Sequence, residues 1–146
     1  MWRMGTLKDW IDYLNSINEK EHESFFHPYK EGKWSKAAII SHMMFWDRFF
    51  YEERLPHMLN GETLVGITAE QVEERNKQAE NYAHSGVSLQ QIIDEAIKYR
   101  QLQINALQNE DLSKTFTIKN RIISLKEYMD GEVEHDAHHL KQLKGK

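Results

Sequence analysis

The sequence has 146 residues, 40% hydrophobic and 29% charged, the balance of a soluble chain with enough length for one domain around a real core. A formal net charge of −4 offers no nucleic-acid surface. The absence of cysteine excludes a disulfide scaffold, a thiolate metal site and a cysteine nucleophile, and it fits a reducing cytoplasm. No apolar run approaches the roughly 18 residues of a membrane span, and the N-terminus has no signal-peptide core. The expectation is a single cytoplasmic domain over residues 1–146 with neither nucleic acid nor membrane as partner.

Two prolines and seven glycines among many strong helix formers point to an all-α chain. Thr6, with Asp9 three residues on, reads as the cap of a first helix carrying Leu7, Trp10, Ile11, Leu14 and Ile17 to about Phe26, where His27–Pro28 stops it. His22 and His27 read as surface residues near its end. Ser35 caps a second helix through Ala38, Ile39, Phe45, Trp46, Phe49 and Phe50, interrupted at Pro56 and ended by Asn60–Gly61. His42 lies near the middle of that apolar sector. A second strip (Ile40, Met44, Tyr51) lies opposite and calls for another helix or a self-association face.

Thr68 and Gln71 form a capping box that opens a short, mostly polar third helix to about His84. Ser88 and Gln91 open a fourth, with Leu89, Ile92, Ile93, Ala96, Ile97, Leu102, Ile104 and Leu107 at helical spacing. The β-branched stretch 115–123 reads as a long loop or a small hairpin turning at Lys119–Asn120. Ser124 and Glu127 then begin the last helix. Four long helices make a four-helix bundle. About 27 residues, including the short third helix, separate the second from the fourth, enough to run back along the bundle. The topology expected is up-down-down-up with one long crossover.

The last helix carries the anomaly. At about 100° per residue, Leu125, Tyr128, Met129, Val133, Leu140 and Leu143 cluster on one side, and Glu132, Asp136 and His139 fall within that sector. His135 stands on its border and His138 points away. Acids and imidazoles on a buried face require something to satisfy them. His135 and His139 are i,i+4 neighbours whose rings can converge, the spacing by which a helix offers two ligands to a metal ion. With His42 from a neighbouring helix, three imidazoles would leave open positions for water and substrate, as catalytic sites do. Satisfied core histidines are the alternative, and it stays open on these residues alone. The run His135–Asp136–Ala137–His138–His139 has the outline of a zincin His-Glu-x-x-His motif with Asp for Glu. Asp136 is therefore a candidate catalytic acid–base, or else a group that orients a ligand or pairs with a lysine or arginine of another helix. Glu132 carries the same ambiguity. His57 and His84 read as surface or helix-end residues.

The stretches Gly32–Lys–Trp–Ser–x₃–Ile–Ile–x–His42, Glu74–Arg–Asn to Tyr82–Ala83, and Glu134–His–Asp–Ala–His–His–Leu–Lys–Gln–Leu143 together resemble the DinB-like (YfiT-like) superfamily over nearly the full length. The resemblance implies a four-helix bundle with a long crossover, a homodimer, and a divalent metal ion (zinc, nickel or similar) held by His42, His135 and His139. For the reaction it implies either of two chemistries. One is transfer of a low-molecular-weight thiol, bacillithiol-like, to an electrophilic small molecule; the other is metal-dependent hydrolysis at the same site. A non-catalytic metal-binding or dimerisation module is a third reading. Trp46, Asn76, Tyr82 and Arg100 are candidates to shape the pocket.

Overall fold

The computed structural model describes residues 4–28 and 30–145. Helix α1 spans Met4–Asn15 and opens before Thr6. Thr6 therefore lies in the first turn instead of capping it, where backbone amides need no intrahelical acceptor. The helix also ends well short of Phe26. Ser16 Oγ donates to the Tyr13 carbonyl at 2.6 Å, and Asn18 Oδ1 accepts from the Lys20 amide at 2.9 Å. These side chains compete with the helical ladder, and the chain continues as two 3₁₀ turns, Glu19–Glu21 and Glu23–Phe26.

Ser35 caps α2, Lys36–Phe49, through the Ala38 amide. The helix passes into a π-helical turn, Phe50–Arg54, closed by the Leu55 amide on the Phe50 carbonyl. Helix α3, Leu55–Leu59, follows with Pro56 in its first turn, where the missing N–H costs no bond. Residues Thr63–Leu64 form strand β1. Thr68 and Gln71 make the full capping box of α4, Ala69–Ala83, and Ser88 caps α5, Leu89–Leu107. Strands β2, Thr115–Ile118, and β3, Arg121–Ser124, pair antiparallel around Lys119 and Asn120. Both turn residues have positive φ, 51° and 62°, as a two-residue hairpin turn requires. The parallel pairing of β1 with β2 was not expected, and two residues are too short to show an alternating pattern. Ser124 caps α6, Leu125–Leu143.

Helices α1, α2, α5 and α6 form the four-helix bundle, and the order in which each passes the core layers gives their directions. One apolar cluster contains Trp10, Leu14, Ile39, Ile40, Met43, Ile92, Ala96 and Leu143. The other contains Leu7, Phe50, Ile104, Leu107, Met129 and Val133. Helices α1 and α6 run from the second cluster to the first, and α2 and α5 run the opposite way. The topology is up-down-down-up. Crossover helix α4 packs on the far side of α2, so Ile40 and Met44 are buried in the core. That strip is a helix-packing face and not an open one. Among the described residues, no helix is long and apolar enough to cross a membrane.

Between the two apolar clusters lies a polar layer. Arg100 is 2% exposed, and all five of its N–H groups are used. Nε and NH2 grip Asp47 at 2.9 and 3.2 Å, NH1 and NH2 grip Asp136 at 2.7 and 2.9 Å, and NH1 also donates to the Leu7 carbonyl at 3.0 Å. One guanidinium thus ties α1, α2, α5 and α6 together.

Candidate metal centre

The three histidines singled out by spacing meet at one point. Four residues past Ala38, His42 projects from the cavity side of α2, with Trp46 one turn on. On α6, His135 and His139 stand one turn apart with ring centroids 4.5 Å from each other. The three ligand atoms all lie within 4.8 Å of one another. His42 and His139 are buried, whereas His135 is more open to solvent.

The tautomer of His42 follows from its partner. Asn76 Oδ1 sits 2.8 Å from Trp46 Nε1 and 2.9 Å from His42 Nδ1. An indole nitrogen can only donate, so the shared atom is the amide oxygen and His42 Nδ1 carries the proton. Its Nε2 lone pair is left facing His135 Nε2 at 3.4 Å. His139 Nδ1 likewise meets the Gln142 amide oxygen at 2.7 Å, and its Nε2 faces His135 Nε2 at 3.1 Å. Such outer partners are the usual means of aiming metal-ligating imidazoles.

Charge on these rings is disfavoured. Burial, then the neighbouring His139 and His135, pushes His42 down to about 3. Burial and His135 push His139 down to about 4, and burial also lowers His135. All three are neutral near pH 7. The lone pairs of His42 and His139 can be met by a cation between the rings or by an Nε2–H of His135. Metal–nitrogen bonds of about 2.1 Å in tetrahedral geometry place ligand nitrogens about 3.4 Å apart, close to the 3.4 and 3.1 Å that separate His135 Nε2 from its two neighbours. The donor set therefore fits a divalent ion of the zinc or nickel type. Asn76→Ala removes the acceptor that orients His42 and should weaken zinc binding about 10–100-fold in a competition titration against a chromophoric chelator. Asn76→Asp keeps an acceptor and should lose much less.

Beneath the triad, burial alone would lower the Arg100 pKa, but the Asp47 and Asp136 carboxylates more than reverse this and hold it charged. Asp136 thus pairs with an arginine of another helix, one of the roles the sequence left open, and both its oxygens face that guanidinium. Glu132 is the carboxyl that lines the cavity with the imidazoles. Burial, then the Asp47 and Asp136 charges, pushes it up to about 7, while the Arg100 charge and then the neighbouring Tyr128 hydroxyl oppose the rise.

The cavity has a volume of about 740 Å³, with Trp34, Trp46, Phe49, Phe50 and Tyr128 among its walls. Of the suggested pocket residues, Trp46 and Asn76 line it. Tyr82 instead bonds Glu95 away from the triad, and Arg100 lies in the core below. Asp47 went unread, although an acid at i+4 from Met43 on the core stripe was a usable signal. Arg54 and Lys119, both on the cavity wall, were also missed.

A four-helix bundle with three convergent imidazoles at its core is a framework that could hold a divalent metal ion. The family model of the DinB superfamily matches residues 5–143, and the chain belongs to that superfamily. Among solved structures it is similar to YfiT from Bacillus subtilis, described as a probable metal-dependent hydrolase with an unusual four-helix bundle topology. The TM-score is 0.71 at 14% identity, over 97% of this chain and 82% of that one, a likeness of fold. No curated protein gives a significant match.

Proposed function

We propose that this protein is a divalent-metal-dependent transferase that joins a low-molecular-weight thiol to an electrophilic small molecule. The observation that supports it is the placement of three neutral imidazoles on a largely aromatic cavity of about 740 Å³, with room for a thiol and an electrophile together. A divalent ion held by His42, His135 and His139 would lower the pKa of a thiol or water beside it. The cysteine-free chain has no thiol of its own, and a reducing cytoplasm would supply one. In the transfer, the S–H proton passes to Glu132, the sulfur lone pair forms the bond to the electrophilic carbon, and the leaving group departs with its bonding pair. Tyr128 orients Glu132, and the aromatic walls keep bulk water from the sulfur.

Hydrolysis is the second reading, supported by Glu132, a carboxyl poised to take a proton from water, and by the description of YfiT. Metal-loaded protein mixed with 1-chloro-2,4-dinitrobenzene, with and without bacillithiol, separates the two when set beside 4-nitrophenyl acetate without thiol. Thiol-dependent turnover favours transfer; ester cleavage that ignores thiol favours hydrolysis.

Either chemistry needs Glu132 ionised, so activity should be lost as pH falls through its pKa. Burial places that pKa near 7, and a cation in the triad would draw it lower. A kcat/KM profile should therefore rise to a plateau with a limb at or below pH 7. Glu132→Gln should remove the limb and reduce the rate about 10²–10⁴-fold.

A further inference from the structure

The triad cavity has a cationic end. Arg54 is 8% exposed, and its hydrogen bond among the described residues is a single one, from NH1 to the Val65 carbonyl at 2.7 Å. Its guanidinium stacks over Phe49 at 5.1 Å from the ring centroid, and Phe49 has Arg75 on it as well, at 4.1 Å. Arg75 pairs with Glu53, whereas Arg54 forms no ion pair among the described residues. The contrast with Arg100 is direct: both guanidinia are buried, but one uses all five donors and the other leaves four open. A guanidinium largely covered by protein, with donors still open at the cavity wall, can take an oxyanion, which its planar fork binds through two bonds.

Three further features agree. The π-helical turn Phe50–Arg54 sets where Arg54 emerges from the α2–α3 segment, and such turns recur at functional sites. Lys119 lines the same cavity, projecting from a left-handed turn position with its stem against Gly66. Glu132 is the one carboxylate among the described residues lining the cavity, and Tyr128 lines it too.

We propose that Arg54, assisted by Lys119, binds an oxyanion of the substrate, so the ligand is a small molecule with an apolar body and a carboxylate or phosphate remote from its reacting atom. Arg54 lies near enough to Tyr128 to act on its charge. Tyr128 is seven residues before His135 on α6, which puts the anion on the order of 10 Å from the triad. The assignment of a reacting end rests on the triad being the reaction centre; anion binding itself does not.

The test compares 4-phenylbutyrate, 4-phenylbutyl phosphate and the neutral 4-phenylbutyramide by isothermal titration calorimetry. Each is run on zinc-loaded and on chelator-treated protein, as wild type, Arg54→Met, Arg54→Lys and Lys119→Met. At least one anion should bind about tenfold more tightly than the amide in both metal states. That preference should vanish in Arg54→Met, persist in part in Arg54→Lys and weaken in Lys119→Met, the surface variant that keeps the test open if the buried substitution fails to fold. The more tightly bound anion identifies the group. A preference present with zinc alone and indifferent to Arg54 and Lys119 would place the anion on the metal and overturn the proposal while leaving the metal centre standing. Equal binding of all three probes would overturn it too. If the preference depends on Arg54 but the protein retains no metal, the anion site stands and the metal-enzyme reading falls.

Discussion

Replacing Arg100 with methionine should lower the unfolding free energy by about 3–5 kcal/mol, the cost of leaving buried carboxylates without their counter-charge. For a chain of this size that corresponds to a fall in Tm of about 10 °C or more. Asp47 and Asp136 are 5% and 3% exposed, so neither can turn to water for compensation. Arg100→Lys should fall between wild type and methionine, because an ammonium is a point charge and cannot fork onto two carboxylates and the Leu7 carbonyl together. Adding Asp47→Asn to Arg100→Met should recover part of the loss, since the two positions share one network and their effects cannot add. Urea unfolding of the metal-free proteins measures all three. A cost below about 1 kcal/mol for the methionine variant would mean that water reaches this layer and screens it.

Removal of either buried ligand should abolish metal retention. Wild-type protein purified without an affinity tag should carry about one equivalent of divalent ion, and His42→Ala and His139→Ala should carry none. Because the ion binds only the folded chain, wild type should gain about 2.7 kcal/mol of stability at a free zinc concentration one hundred times Kd, and the variants should gain nothing. The metal-free protein adds a dependence on pH. His42 and His139 titrate at about 3 and 4 in the folded chain, below the ordinary 6.5 of an unfolded one. Their contribution is complete above about pH 6.5 and is lost as pH falls toward 3, by at most about 1.4 kcal/mol per pH unit per group. His139→Ala should flatten that slope. Equal metal content in wild type and both variants would return the triad to the status of core histidines.

The helices and their order were legible wherever caps and periodicity coincided, at Ser35, Thr68, Ser88 and Ser124. They were misread where local side chains overrode a continuing apolar rhythm. Ser16 and Asn18 end α1 while Ile17 and Phe25 still keep helical spacing. The histidine cluster was legible because i,i+4 spacing on a buried face is a local property of one helix. Arg100 was visible only as a charged residue in an apolar helix, since its partners come from three other helices that a single helical wheel does not contain. Arg54 was harder still: the π-helical turn alters the register by which a wheel would have placed it.

The separations within the site bear on when it can form. His42 and His135 are 93 positions apart, and so are Leu7 and Arg100. Closing loops of that length is slow and late relative to helix formation, so the imidazoles cannot meet until α2 and the last helix have docked. During refolding, zinc uptake should therefore trail the recovery of helical circular dichroism, and a nascent chain lacking its final helix offers only His42. Cation binding in this architecture would act as a proofreading signal, available only to a chain whose α2 and final helix have already found each other.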